Sequence, residues 1–403
     1  MKKNKKAIIA LDGGGTNLRI VIRDEDTNEE LFAKKVGYGT NLSSVGDKER
    51  ALSNIKNLIQ EGFEHVRQTG YQISAIGLSS AGTEVKENKL RLEETLAEAA
   101  EEIVQGSEAL GRVKTPLLAV TNDIDILLGK DVSIAGVCGT GSIVAYRSEE
   151  TDENGNKKTV IRTVDGLGHT IGDYGSGYYI GDHVINRALR IFNTGAYIDS
   201  NGKEVEAEPN ESNLLKRVLI LLAKDAKENR DGIKVEDMDP DELVKYYTDT
   251  LEQLKSGELT LQQLVGDATT LKSVKDGVEI ESKYDKAVVA KYAGFLIADV
   301  EDPALDDILE KAAREYALSV KAAIKKGNLQ SESKINVLLN GGIVQHNPRY
   351  KNRIEAIVRE KYPTVTINVI DPEKEEAVDY TIKYMKELLE QQRELQYQQI
   401  PER

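Results

Sequence analysis

A repeat sets the tightest limit on what this chain can fold into. Residues 7–36 read as three short strands, Ala7–Leu11, Asn17–Arg23 and Glu30–Val36. Three consecutive glycines, Gly13, Gly14 and Gly15, separate the first two, and the turn-forming Asp24–Asn28 separates the last two. About 126 residues later the plan recurs: Ser133–Cys138, then Gly139-Thr140-Gly141, then Ser142–Arg147, the turn Asp152–Asn156 and Thr159–Val164. Two copies of one strand-loop-strand-strand unit predict a duplicated two-lobed protein with a cleft between the lobes, and 403 residues suffice for more than one core.

Between and after the copies, short β-rich runs alternate with helical stretches, which predicts α/β layers. A helix is expected over 46–69, a strand at Ile73–Leu78, an acidic helix over 90–110 and a strand at Leu117–Thr121. The first lobe is expected over 1–130 and the second over 131–403. The second lobe carries a helix over 176–193 and a charged, mostly helical elaboration over about 211–330, broken near Asp239-Pro240 and Lys275–Gly277. The pattern then returns to a strand at Ile335–Leu339, a helix over 348–360, a strand at Val365–Ile370 and a helix over 373–396 that packs back on the first lobe.

Composition removes several functional classes. Lys and Arg number 54 against 68 Asp and Glu, and the resulting net charge of −14 opposes nucleic acid and anionic membrane surfaces. The single Cys138 forms no intrachain disulfide and no Cys₄ metal or cluster site, which fits a cytoplasmic location. No apolar run approaches the roughly 18 residues of a membrane span, and the run behind the basic start is broken by Asp12.

The chemistry begins at Leu11–Thr16. Glycines in φ > 0 turn geometry after an apolar strand expose backbone N–H groups to phosphate oxygens. Asp12 supplies a carboxylate for hydrated Mg²⁺ and Thr16 a hydroxyl for the phosphate. Taken alone, a β-hairpin turn that merely needs glycine accounts for these residues equally well. Neither G-x-x-x-x-G-K-[ST] nor G-x-G-x-x-G occurs.

Two further motifs follow at strand ends, Val120-Thr-Asn-Asp123 and Cys138-Gly-Thr-Gly-Ser142. The order phosphate loop, acid, phosphate loop resembles the sugar kinase, actin and heat-shock-chaperone superfamily. The resemblance implies a duplicated actin-like (ribonuclease H-like) ATPase fold, nucleotide contacts from Gly13, Gly14, Gly15, Thr16, Gly139, Thr140, Gly141 and Ser142, and Asp123 as catalytic base touching the acceptor. A helix N-cap before Ile124 is the alternative role for Asp123. Phosphoryl transfer needs little covalent help, so positioning, charge neutralisation and one carboxylate taking the hydroxyl proton account for most of the rate.

A narrower resemblance lies in Asp165-Gly-Leu-Gly-His-Thr-Ile-Gly-Asp-Tyr-Gly-Ser-Gly177, which is similar to the G-W-G-x-x-x-G-D-E-G-S-A signature of N-acetylglucosamine kinases and BadF/BadG/BcrA/BcrD ATPases. It implies sugar contacts from Gly166, Leu167 and Asp173, and the matching Gly39-Thr-Asn41 loop implies one from Asn41. Leu167 stands for Trp, Tyr174 for Glu and Gly177 for Ala, departures that bear on which sugar is held. Val337–Ile343 resembles the family's adenosine motif, with Gly341 and Gly342 against the nucleoside. His169, inside the sugar loop, is a further candidate contact, and Cys138 reads as a buried small hydrophobe.

Together these imply ATP-dependent phosphorylation of an amino sugar or related hexose with ATP and Mg²⁺, by a protein whose partners are a small-molecule sugar and a second copy of the chain. An ATPase switch without a sugar acceptor and a non-catalytic sugar or nucleotide sensor are the alternatives. The cluster-bearing ATPases of this type need two cysteines per chain.

Overall fold

The computed structural model describes residues 5–14, 17–43, 45–107, 115–129, 131–151, 155, 157–207, 212–232, 240–275, 278–294, 302–371 and 373–398. The chain divides into two compact units, one of Met1–Val132 with Asp371–Arg403, the other of Ser133–Ile370.

The first unit is built on a five-stranded sheet in the order β3-β2-β1-β4-β5. Its strands are β1 (Lys5–Gly13), β2 (Leu18–Asp24), β3 (Glu30–Val36), β4 (Tyr71–Ser80) and β5 (Leu117–Thr121). β1, β2 and β3 pair antiparallel, whereas β4 and β5 join β1 in parallel. A parallel pair needs a crossover, and helices α1 (Lys48–Arg67) and α2 (Lys86–Ser107) supply the two required here. β1 runs apolar on both faces from Ala7 to Leu11 because both are covered. Ile9 and Leu11 pack with Ile55, Ile59 and Leu96 of α1 and α2. Ile8 and Ala10 pack with Val378, Ile382 and Met385 of the last helix (Ala377–Gln398), which belongs to this unit.

The second unit repeats the plan. Its sheet, β14-β13-β6-β7-β8, contains β6 (Ile134–Cys138), β7 (Ser142–Thr151) and β8 (Lys157–Asp165) as the antiparallel trio, with β13 (Ile335–Asn340) and β14 (Val365–Val369) added in parallel. Reading β6, β7, β8, β13, β14 for β1, β2, β3, β4, β5 superposes the two strand orders, the duplication that the sequence repeat predicts. The helices α3 (Gly177–Thr194), α4 (Asn213–Asp231), α5 (Pro240–Ser256), α6 (Leu261–Ala268) and α7 (Lys286–Lys291) form the elaboration and its entrance. They are followed by α8 (Pro303–Lys326), α9 (Gly342–His346) and α10 (Pro348–Arg359), the last helix of the chain being α11. Helix starts follow capping chemistry: Ser176 accepts from Tyr179 N, Ser212 from Leu215 N, and Thr260 with Gln263 closes a full capping box.

The stretch read as mostly helical over 211–330 contains one short antiparallel pair, and another precedes it. β9 (Ala196–Ile198) pairs with β10 (Glu204–Glu206), and β11 (Leu271–Lys275) with β12 (Val278–Ser282), while Asp276 and Gly277 of one expected break and Asp239 of the other lie outside the described residues. Five-residue strands are too short for their period to stand out from flanking charged helices. Among the described residues no helix is long and apolar enough to cross a membrane.

Candidate functional site

In the first unit the parallel register sets three polar residues in a row. Asp12 lies opposite Ser79, and Ser79 opposite Thr121, so the carboxyl-terminal ends of β1, β4 and β5 share one edge. Two residues past Thr121, Asp123 joins Asp12 at that edge. Burial, followed by the nearby charges of Asp12 and Glu84, pushes the Asp123 carboxyl up to about 6. Burial also raises Asp12, opposed by a hydrogen bond that Ser79 Oγ donates to Asp12 Oδ1 at 2.8 Å and by the charge of Arg19. Arg19 is itself paired with Glu376. Two buried carboxylates are thus held close with little cationic compensation, an arrangement that suits a divalent cation carrying water and phosphate as its remaining ligands. Among the described residues no three His, Cys, Asp or Glu side chains converge into a protein-only metal cage.

The capping role considered for Asp123 is not seen: the short 3₁₀ turn Asp125–Leu127 begins at Ile124 with no side-chain cap. Asn122 Oδ1 instead closes a local turn by accepting from Ile124 N at 3.0 Å, and Asn122 Nδ2 donates to Glu84 Oε2 at 3.1 Å. Asn122 therefore fixes the turn that presents Asp123, a role the Asn-Asp pairing in the sequence hints at without assigning.

Gly13 and Gly14 occupy the β1–β2 turn, which closes through Gly14 N to Asn17 O at 3.0 Å, while Gly15 and Thr16 lie outside the described residues. The expected φ > 0 geometry does not hold at Gly13, Gly14, Gly139 or Gly141. Space, and not backbone sign, is what Gly13 provides: a Cβ there would overlap Thr40 Oγ1. Thr40 N and Asn41 N both donate to Gly14 O, at 2.9 and 3.3 Å, which brings Asn41 to the β1–β2 turn. The Asn41 side chain lies against Gly82, whose φ of +84° any other residue would strain, and its Oδ1 accepts from Ser43 N at 3.0 Å.

In the second unit the turn Gly139–Ser142 is braced on two sides. Gly177 N and Tyr178 N, opening α3, donate to Gly139 O and Thr140 O at 2.7 and 3.1 Å. Ser142 N donates to Asp173 Oδ1 at 3.1 Å and Ser142 Oγ to Tyr174 O at 2.8 Å. Ser142 thereby spends both donors on the 165–177 loop and Gly139 N donates to Gly141 O at 3.0 Å, so Thr140 and Gly141 form the open part of the turn. The Asp173 carboxylate, buried at a residue with φ of +56°, takes Lys286 Nζ at 2.6 Å on its other oxygen. Gly341, at φ +117°, presses its Cα onto the Cys138–Gly139 backbone, where a Cβ would collide with Cys138 O. This closeness unites the expected adenosine loop with the Gly139–Ser142 turn, with Gly342 beginning α9. Gly166 packs on Ile143, whereas Leu167 and Ile171 are about two-thirds exposed. His169 meets Tyr178 edge to face at 4.8 Å. Cys138 is wholly buried, with burial pushing its thiol far above the ordinary range, which excludes it as a reactive thiolate.

Lys286 escaped the sequence reading because it sits about 145 residues from the turn it reaches, within a charged helical stretch where lysine is unremarkable. An Asp-Lys pair opening a short helix carries no signal on its own.

The sequence matches the BadF/BadG/BcrA/BcrD ATPase family over residues 9–378. The chain belongs to that family. Among characterised relatives of this BadF-type protein, the N-acetylmuramic acid/N-acetylglucosamine kinase of Clostridium acetobutylicum is 26% identical over 367 residues, 90% of this chain and 93% of that one. The N-acetyl-D-glucosamine kinase of Dictyostelium discoideum is 27% identical over 198 residues, 46% of this chain and 55% of that one. Among solved structures, a candidate N-acetylglucosamine kinase from Chromobacterium violaceum aligns with a TM-score of 0.51 at 16% identity, covering 95% of this chain and 100% of that one, a likeness of fold.

Proposed function

We propose that this BadF-type protein transfers the terminal phosphoryl group of ATP to a hydroxyl of an amino sugar of the N-acetylglucosamine or N-acetylmuramic acid kind. It is an ATP-dependent carbohydrate kinase, the class to which its curated relatives belong. The observation that carries the reading is Asp123: a buried carboxyl raised to about 6 is ionised at neutral pH yet basic enough to take a proton from a hydroxyl as transfer proceeds. Asp12 holds Mg²⁺, which neutralises phosphate charge when bound. Gly139, Thr140 and Gly141 line the phosphates with backbone, Gly341 and Gly342 approach the nucleoside, and Asn41, Gly166 and Leu167 contact the sugar.

The test is ATP turnover across a panel of hexoses and amino sugars. The expected outcome is slow turnover without acceptor and a sharp rise with one N-acetylated sugar, yielding sugar phosphate and ADP in equal amounts. One observation favours a second reading, an ATPase acting without a sugar acceptor: the Asp173 carboxylate faces Ser142 N and Lys286 and not open space. Equal ATP hydrolysis with every sugar, and no sugar phosphate, would select it.

A further inference from the structure

We propose that Lys286, carried by the helical elaboration, is a ligand of the nucleotide's phosphate chain, and that Asp173 is the counter-ion that holds its ammonium over the phosphate turn. The inference rests on the reading of Gly139–Gly141 as a nucleotide-phosphate turn.

Three observations converge on the ammonium. Lys286 Nζ lies 2.6 Å from Asp173 Oδ2, and the other oxygen of that carboxylate takes Ser142 N at 3.1 Å, so turn, carboxylate and ammonium form one assembly. A Cβ on Gly141 would stand 2.8 Å from Lys286 Nζ and 3.0 Å from both carboxylate oxygens, so the ammonium rests directly on the turn, and glycine is what admits it. The pair is lopsided in burial: the Asp173 side chain is 5% exposed and that of Lys286 is 32% exposed. An ammonium has three donors and Asp173 Oδ2 occupies one, which leaves donors at the accessible side, beside the backbone amides of the turn. Asp173 keeps this position in the left-handed region, which few non-glycine residues adopt. A carboxylate serving only as filler would not need that backbone. The α6–α7 segment thus acquires a purpose: it delivers one cation to the turn of a molecule whose net charge of −14 otherwise repels a nucleotide.

The experiment is calorimetric titration of full-length Lys286→Met, Lys286→Arg and Asp173→Asn with ADP, with adenosine and with pyrophosphate, beside thermal melts without ligand. Lys286→Met is expected to weaken ADP and pyrophosphate tenfold or more, leave adenosine within twofold, and flatten the salt dependence of ADP binding. Lys286→Arg should recover most of the loss. Asp173→Asn frees the ammonium while its remaining carbonyl can still accept from Ser142 N, so ADP binding should hold or tighten. ADP affinity unchanged in Lys286→Met, or equal losses of ADP and adenosine, would overturn the proposal. So would an Asp173→Asn protein that melts like the parent yet loses ADP as Lys286→Met does, because the pair would then only shape the turn. Sugar phosphorylation plays no part in these readouts. A parent protein that binds ADP but phosphorylates no sugar sinks the kinase reading and leaves this one, whereas a parent that binds no ADP sinks both.

Discussion

Ser79 and Asp12 stand opposite each other in the parallel register of β4 and β1, and the Ser79 hydroxyl donates to the Asp12 carboxylate at 2.8 Å. That bond opposes the burial that makes Asp12 hard to ionise. A hydrogen bond to a charged group is worth roughly 1.5–3 kcal/mol. Ser79→Ala should therefore weaken the apparent Mg²⁺ affinity of the ATP reaction about tenfold. A metal titration indistinguishable from the parent would separate Asp12 from the metal.

Asp123→Asn should lower turnover by roughly 10² or more, the range for loss of a general base, with ADP affinity unchanged because the proposed nucleotide loops of the second unit are untouched. Single-turnover kinetics beside ADP titration reads both. Near-parent turnover would remove Asp123 from the chemistry.

The acid limb of kcat/KM should fall near pH 6, since the reaction needs Asp123 ionised and its carboxyl is raised to about 6. Glu84 contributes to that rise through its charge, and Glu84→Gln keeps an acceptor for Asn122. The variant should move the acid limb below pH 6 with little change in plateau rate. A limb that stays in place would mean another group sets it.

Stability should follow the same carboxyl with the opposite sign to a salt-bridged aspartate. With its native pKa above the unfolded value of 3.8, Asp123 binds more protons folded than unfolded, so stability declines as pH rises from about 4 to 6 and stays lowered above that. In metal-free buffer Asp123→Asn should raise the melting temperature at pH 7.5, by no more than about 3 kcal/mol of stability, and do nothing near pH 3.5. Equal melting shifts at both pH values would point to packing instead.

Gly341→Ala should be among the costliest single-methyl changes in the second unit. Its Cβ would meet the backbone of Cys138 and Gly139, which cannot step aside as a side-chain tip can, and φ of +117° disfavours alanine in any case. A loss of 2 kcal/mol or more, with nucleotide binding lost as well, is expected in denaturant titrations. Gly14→Ala, with nothing near its Cβ, serves as the tolerant control.

Much of this was legible in the residues. The duplication followed from two strand trios around glycine turns, and Asp12 and Asp123 from their places at strand ends, because strand order and parallel register bring such ends together whatever the helices do. The backbone geometry was less legible: three glycines in a row suggested left-handed turns, whereas Gly13 is needed for room beside Thr40. Contacts across long separations were hidden altogether. Nothing near Asp173 announces Lys286, and nothing in Asn-Asp says that Asn122, and not Asp123, closes the turn onto Ile124.

The sheet of the first unit is covered on one face by helix α11, where Val378, Ile382, Met385 and Leu389 lie on Ile8, Ala10, Val21 and Ala75, and where Gly77 leaves room for Met385. A ribosome makes those two sets of residues far apart in time. Through the synthesis of the entire second unit, the nascent first unit carries a bare apolar face that α11, made after that unit, covers. The first sheet is therefore completed only once the second unit has been made. A product truncated before residue 377 would be a natural client of holdase chaperones, and α11 supplied in trans as a peptide should restore its solubility.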